Sequence, residues 1–236
     1  SPAVLLRSGV DVVGVGENLH DHPSFPIPLA RRRPADPDGL AIATVATVSS
    51  GLDDHGADDV QLLPVDVIER SAPDIGLLMA ALMFSHSRGS VRLAGDDPTV
   101  DPVVEFRMLS DDRDWRRMQF ALDAAERVLD HPAMRAVADP LPYERSRDAV
   151  AASLGDYVHA AGTCAMGAVV DTRCRVHGHD ALFVCDASVM PQLPRANTHW
   201  PVVAIAERLA RPLVGGARRR GRGSRSSACR TPASRR

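Results

Sequence analysis

His159 opens the segment His159-Ala-Ala-Gly-Thr-Cys-Ala-Met-Gly167, and two further segments follow it, Asp186-Ala-Ser-Val-Met-Pro191 and Asn197-Thr-His-Trp-Pro201. A histidine titrates near neutral pH, which suits it to take a proton in a reaction run there. Asn197 and His199 add an amide and a second imidazole, one able to orient a substrate oxygen, the other to take or relay a proton. Each residue also has a plain structural reading. His159, beside Tyr157 and small residues, can be an ordinary histidine; Asn197-Thr198 can cap a following helix; Asp186 can close a strand in a turn.

Other chemistries fit less well. His159, Cys164, Cys174, His177, His179 and Cys185 form neither a C-x-x-C pair nor an H-x₃₋₅-H pair set opposite cysteines, so the sequence predicts no metal site. A serine hydrolase would need a nucleophile elbow such as G-x-S-x-G, which does not occur. Gly14-Val-Gly16 is no dinucleotide fingerprint, since the third glycine position is Leu19 and Asp21-His22-Pro23 follows in place of an apolar helix.

Taken together, the three segments resemble the C-terminal half of the glucose–methanol–choline family of flavin-dependent alcohol oxidoreductases. Ser1-Pro-Ala-Val-Leu-Leu-Arg-Ser-Gly9 and Gly14-Val-Gly-Glu-Asn-Leu-His-Asp-His-Pro23 resemble two landmarks that follow the family's flavin-binding core, and the likeness covers about residues 1–212. It implies FAD as cofactor and hydride transfer from an alcohol to the flavin N5 atom, with His159 as general base. Asn197 takes the second active position, with His199 as its rival. Asp186 and Ala187, at the end of a strand, would contact the flavin ribityl chain and pyrophosphate, with Asn197 and Thr198 at the start of the last helix. Asn18, Asp21 and His22 line the flavin environment on this reading, or serve structure alone. The resemblance also implies a fragment lacking the N-terminal G-x-G-x-x-G segment, with a separately encoded N-terminal FAD-binding half as a possible partner. The alternative is a truncated chain that catalyses nothing.

The elements that must position these residues follow from patterning. Ala41–Val48 and Val60–Ile68 are rich in β-branched residues, Leu77–Phe84 is an apolar run, and Ser87–Leu93 alternates polar and apolar side chains. These predict an antiparallel sheet, which in the resembling family floors the substrate cavity. Trp115, Met118, Leu122, Ala125, Val128 and Leu129 recur at helical intervals after Ser110-Asp111 and before His131-Pro132, an amphipathic helix. Ala181–Asp186 reads as a buried strand of the flavin domain, and Val202–Ala210 as a final helix before Pro212. The expected fold class is α/β: a substrate-domain sheet with helices, plus a returning strand and helix of a Rossmann-like FAD domain, forming the C-terminal portion of a two-domain fold. The expected divisions are 1–23, a remnant of the FAD domain; 24–155, the substrate domain; 156–212, the C-terminal FAD-domain segment; and 213–236, a disordered tail.

The chain has 236 residues, 44% of them hydrophobic and 25% charged, the composition of a globular protein. Its formal charge of −2 conceals two parts: eight arginines and no acid lie after residue 217, leaving 20 basic against 30 acidic residues before it. Such an arginine run can neutralise phosphates. Its Gly/Ser/Arg composition offers almost no apolar surface to offset ordering, so a disordered end is expected and no nucleic-acid partner. Neither a membrane span nor a signal peptide is legible, the four cysteines form no disulfide framework, and a cytoplasmic location is expected.

Overall fold

The computed structural model describes residues 12–36, 38–52, 56–66, 68, 71–97 and 99–220, with side chains as far as Ala210 in the last helix. The landmark at Ser1–Gly9 and the arginine-rich end beyond Arg220 lie outside the described residues.

Among the described residues, seven strands form two sheets. β1 (Ser24–Arg31), β2 (Ala46–Val48), β3 (Val60–Val65), β4 (Ile75–Leu82) and β7 (Ala138–Pro140) make a five-stranded antiparallel sheet in the order β2-β3-β4-β1-β7. β5 (Ser90–Arg92) and β6 (Val103–Glu105) pair as a separate antiparallel ribbon. The chain is therefore a mixed α/β protein with an antiparallel sheet and helices.

Because successive strand residues point to opposite faces, each strand divides its side chains between two environments. Phe25, Ile27 and Leu29 of β1, Val60 and Leu62 of β3, and Leu78, Ala80 and Leu82 of β4 are buried in one core. Helix α1 (Asp112–Asp130) contributes Met118, Ala121, Leu122, Ala125 and Leu129 to the same cluster. The opposite face carries Gln61, Leu63 and Val65 of β3 and Met79 of β4, with Leu63 directly paired with Met79. That face floors a cavity.

A buried ion cluster ties α1 to the sheet and its loops. Arg117 is fully buried and donates to the Asp59 carboxylate through Nε. Asp114, also fully buried, accepts from the backbone amides of His86 and Ser87 and from the hydroxyls of Ser85 and Ser87. Removing one partner of such a group strands a charge in a low dielectric, so the set fixes where the Ser85–Gly89 loop can lie.

The α1 helix begins where its pattern places it, with the Asp111 side chain accepting from the Arg113 amide. His131 ends it and opens the short helix α2 (Pro132–Arg135); α3 (Arg147–Ala152) follows, capped by Ser146. The last helix, α4 (His199–Arg220), continues past Pro212. Proline there deletes one backbone bond, while Pro201 sits in the first turn, where its missing amide has no helical partner to lose.

Two expectations are corrected. Ala181–Asp186 is not a buried strand: among the described residues its ladder contact is a single bridge, Phe183 to Arg175, and Ala181, Leu182 and Asp186 are exposed. A strand needs neighbours to satisfy its amides, and this segment has one residue's worth. Conversely, β1 was not anticipated, since Pro26 and Pro28 argue against a strand. The Pro28 carbonyl accepts from Leu141 on the side away from β4, so the missing amides face that side and leave the β4 ladder intact. The strand expected over Ala41–Val48 is confined to β2.

No helix among the described residues is long and apolar enough to cross a membrane.

Candidate active site

His159 and Asn197 line the same cavity, of about 550 Å³, together with Gln61, Leu63, Met79 and Tyr157. The sheet supplies the floor, the segment Asp156–His159 one wall, and Asn197, just before α4, another.

The backbone around His159 is held by the Asn18–Pro23 loop. The Asp21 carboxylate accepts the His159 amide at 3.0 Å and the His22 amide at 2.6 Å. Asp21 is almost wholly buried, and burial raises its carboxyl pKa against the lowering effect of those two amides. Just before His159, Val158 has φ of 59° and is exposed. A β-branched residue in the left-handed region is strained, so the Asp21 grip holds His159 at the end of an unfavourable turn.

His22 lies beneath. Its Nδ1 is 3.0 Å from Nδ1 of His159, with the two rings nearly perpendicular at 86°. Burial lowers the pKa of His22 to about 3, with the neighbouring His159 adding to the effect. The pKa of His159 is lowered too, first by burial and partly countered by Asp21. Burial thus favours the neutral imidazole at both histidines.

His20 is a separate, structural histidine. Its Nδ1 bonds the Asn18 carbonyl at 2.6 Å and its Nε2 accepts from the Leu193 amide at 3.1 Å. Burial lowers its pKa to about 4. Gly162, with φ of 97°, packs against it: a β-carbon there would stand 2.3 Å from the Asn18 oxygen and 2.6 Å from the His20 ring.

The remaining expected residues are distributed around this centre. Asn18 has its polar atoms committed within the protein, its amide donating to the Gly162 and Pro191 carbonyls and its oxygen accepting from Arg88 at 2.8 Å. That favours its structural reading. Asp186 accepts from the Ser188 amide and hydroxyl and starts a short 3₁₀ turn over Ala187–Val189, and the Ala187 carbonyl accepts from Gly162. Asp186–Ala187 therefore packs against the glycine turn that follows His159. Thr198 accepts from the Val202 amide through its carbonyl at the opening of α4. His199 is exposed, its ring edge-on to Trp200 at 5.4 Å. Gln61, and the contact of Asp21 and His22 with His159, are what the sequence did not single out. Gln61 lay unremarked in a β-branched run, whereas Asp21-His22 stood in the N-terminal landmark without a partner to suggest its role.

One group of potential metal ligands is brought together among the described residues: Asp21, His22 and His159, with ligand atoms within 4.8 Å of one another. Two nitrogens on a tetrahedral zinc stand about 3.3 Å apart, given Zn–N bonds near 2.0–2.1 Å. The shorter spacing of these two nitrogens, and carboxylate oxygens already accepting amides, suit a direct hydrogen bond better than a shared cation.

Residues 85–206 match the GMC oxidoreductase family. The chain belongs to that family. It is 30% identical over 224 residues to an uncharacterized GMC-type oxidoreductase of Rhodococcus erythropolis, covering 89% of this chain and 44% of the relative. To the 5-(hydroxymethyl)furfural oxidase of Methylovorus sp. it is 31% identical over 264 residues, covering 91% of this chain and 49% of that one. Among solved structures, pyridoxine 4-oxidase from Mesorbium loti superposes with a TM-score of 0.78 at 28% identity, over 89% of this chain and 46% of that chain. The chain thus spans about half the length of the relatives it matches.

Proposed function

We propose that this chain supplies the substrate cavity and the general base of an FAD-dependent oxidoreductase that converts an alcohol to a carbonyl compound. The observation that carries this is the meeting of His159 and Asn197, far apart in sequence, on one otherwise largely aliphatic cavity.

The donor set fits a flavin ring. The cavity offers one imidazole, the side-chain amides of Asn197 and Gln61, and the start of α4 immediately beyond Asn197-Thr198, where helix amides carry partial positive charge. Asn197 and Thr198 would face the ring, and Asp186–Ala187 the chain that carries it. When bound, FAD supplies the hydride acceptor, its N5 atom.

The protein's own residues do the rest. Asn197 holds the alcohol oxygen in place, and His159, kept neutral by burial, removes the hydroxyl proton as the carbon–hydrogen bond breaks. Leu63, Met79 and their aliphatic neighbours keep water away from the carbon that reacts. A cavity of about 550 Å³ suits an alcohol of modest size. The names of two relatives, a hydroxymethylfurfural oxidase and a pyridoxine oxidase, support the same class.

Residues 24–155 act as the substrate-side unit and 156–212 as the flavin-side unit, working with an N-terminal FAD-binding half. Free Cys164, Cys174 and Cys185 support a cytoplasmic setting. Co-expression of the chain with an N-terminal half of the family tests the proposal. Purified protein that retains flavin, and loses its visible absorbance on anaerobic addition of an alcohol, supports it; protein with no flavin, or with flavin indifferent to alcohols, contradicts it.

A further inference from the structure

We propose that Gln61 is a substrate-binding residue: from the floor of the cavity its side-chain amide takes a second hydroxyl of the alcohol, so that the site selects diols over alcohols with a wholly apolar body. The assignment rests on the function proposed above, which puts the alcohol in this cavity.

Gln61 lies in β3 between two neighbouring strands, paired with Thr47 of β2 and with Ala81 of β4. The ladder fixes its backbone. By strand alternation its side chain shares a face with Leu63 and Val65, while Val60 and Leu62 enter the core behind. Of the β3 and β4 residues that line the cavity it alone has a polar side chain. Only 9% of its surface is exposed, and among the described residues its amide has no hydrogen-bond partner. Asp59, two residues earlier and fully buried, shows the contrast: its carboxylate accepts from the Ser50 amide and hydroxyl and from the Arg117 guanidinium. One polar side chain of β3 is committed to the fold; the other is left to the cavity.

A primary amide carries an acceptor oxygen and two N–H donors. In an open cavity water can satisfy them. A ligand that fills the cavity displaces that water and must supply a hydrogen bond in its place, or leave the amide unpaired against aliphatic neighbours at a cost in free energy. His159 and Asn197 claim the reacting hydroxyl at the walls, so the group that meets Gln61 is a second one, on the part of the substrate that lies along the floor. A hydroxyl can donate to the amide oxygen or accept from its nitrogen. The described lining holds an acid, Asp156, and neither lysine nor arginine, which favours an uncharged group there over a carboxylate.

The test uses probes matched in size: meta- and para-benzenedimethanol against meta- and para-ethylbenzyl alcohol, which carry a methyl group where the second hydroxyl stands. The described lining belongs wholly to this chain, so binding is read by NMR on the ¹⁵N-labelled 236-residue chain without flavin. The side-chain amide signals of Gln61 are expected to shift with at least one diol and much less with its ethyl counterpart. Gln61→Met keeps the length of the side chain and removes the amide. In that variant the ratio of the two dissociation constants is expected to move by on the order of tenfold toward the ethyl compound, a coupling of ordinary size for groups in contact. Amide signals that ignore both diols, or that move equally with diol and ethyl compound, overturn the proposal, as does a ratio that the substitution leaves unchanged. If the variant misfolds, the wild-type titration decides alone. Flavin bleached by both kinds of alcohol in chain assembled with an FAD-binding half, with a ratio indifferent to Gln61, would sink the diol site and leave the oxidoreductase reading standing. A Gln61-dependent ratio with flavin that no alcohol bleaches would do the reverse.

Discussion

The carboxylate of Asp21 accepts the backbone amide of His159 at 3.0 Å through one oxygen and 3.2 Å through the other, across 138 residues of chain. The same carboxylate holds the amide of His22. One buried acid therefore sets the separation of two imidazoles that belong to different loops.

Substituting Asp21 tests that role. In Asp21→Asn the oxygen that accepts both amides can be kept, but the other becomes an NH₂ group set 3.0 Å from the His159 amide, donor against donor, and the shorter of that amide's two bonds is lost. The expected cost is about 1–3 kcal/mol of stability, read as a lower urea midpoint with unchanged slope. Part of the loss is offset because the charged carboxylate is itself held against its solvation, as its raised pKa shows. A midpoint equal to or above that of the wild type would mean the clamp contributes nothing.

The buried histidines predict an early acid transition. In the unfolded chain both titrate near 6.5, whereas in the fold His20 is lowered to about 4 and His22 to about 3. Below pH 6.5 the unfolded state binds protons that the folded state refuses, so stability is fully present above 6.5 and falls as pH drops toward the folded values. Each histidine contributes on the order of 1 kcal/mol per pH unit in that window. Asp21 acts in the opposite sense, because its raised pKa gives the folded state extra protons, but only above its unfolded value of 3.8. Urea midpoints from pH 7.5 to 4.5 should therefore decline, and His20→Gln should flatten the decline relative to its own neutral-pH value. A profile level down to pH 4.5 would show that neither histidine is buried neutral.

The turn after His159 predicts a sharp intolerance. Gly162→Ala places a methyl group 2.3 Å from the Asn18 oxygen and asks a residue with a side chain to adopt φ of 97°. Overpacking and backbone strain each cost about 1–3 kcal/mol, so thermal denaturation should show a large fall in Tm. Gly167, also at positive φ but with nothing within 4 Å, is the control: Gly167→Ala should lose only the backbone part. Equal losses at the two positions would remove the packing argument.

Much of the fold was legible because one period dominates each segment. The β-branched run of β3, the apolar run of β4 and the helical spacing from Trp115 to Leu129 are local properties, and of the two caps the pattern offers, Ser110 and Asp111, the structure uses Asp111. β1 was hidden, since its prolines mimic a loop and are tolerated only because their missing amides face away from β4. Ala181–Asp186 misled in the other direction: its apolar residues read as a buried strand, but burial depends on neighbours that local sequence cannot name. Within the site, the motif at His159 made that residue visible, and the structure places it on the same cavity as Asn197. The pairing with His22 was not visible, because a contact between distant loops leaves no spacing to read.

His159 is proposed to remove the alcohol proton, and the direct measurement is the rate of flavin bleaching by alcohol under anaerobic rapid mixing, in chain assembled with an FAD-binding half. His159→Gln keeps size and hydrogen bonding but cannot serve as the base. General-base catalysis is worth about 10²–10⁴-fold, so the account predicts a fall in rate of that order with flavin content unchanged. In the wild type the rate should hold constant on lowering pH from 8 and decline only below 6.5, because the lowered pKa keeps the imidazole basic until then. A His159→Gln protein that bleaches at the wild-type rate would show that His159 is not the base.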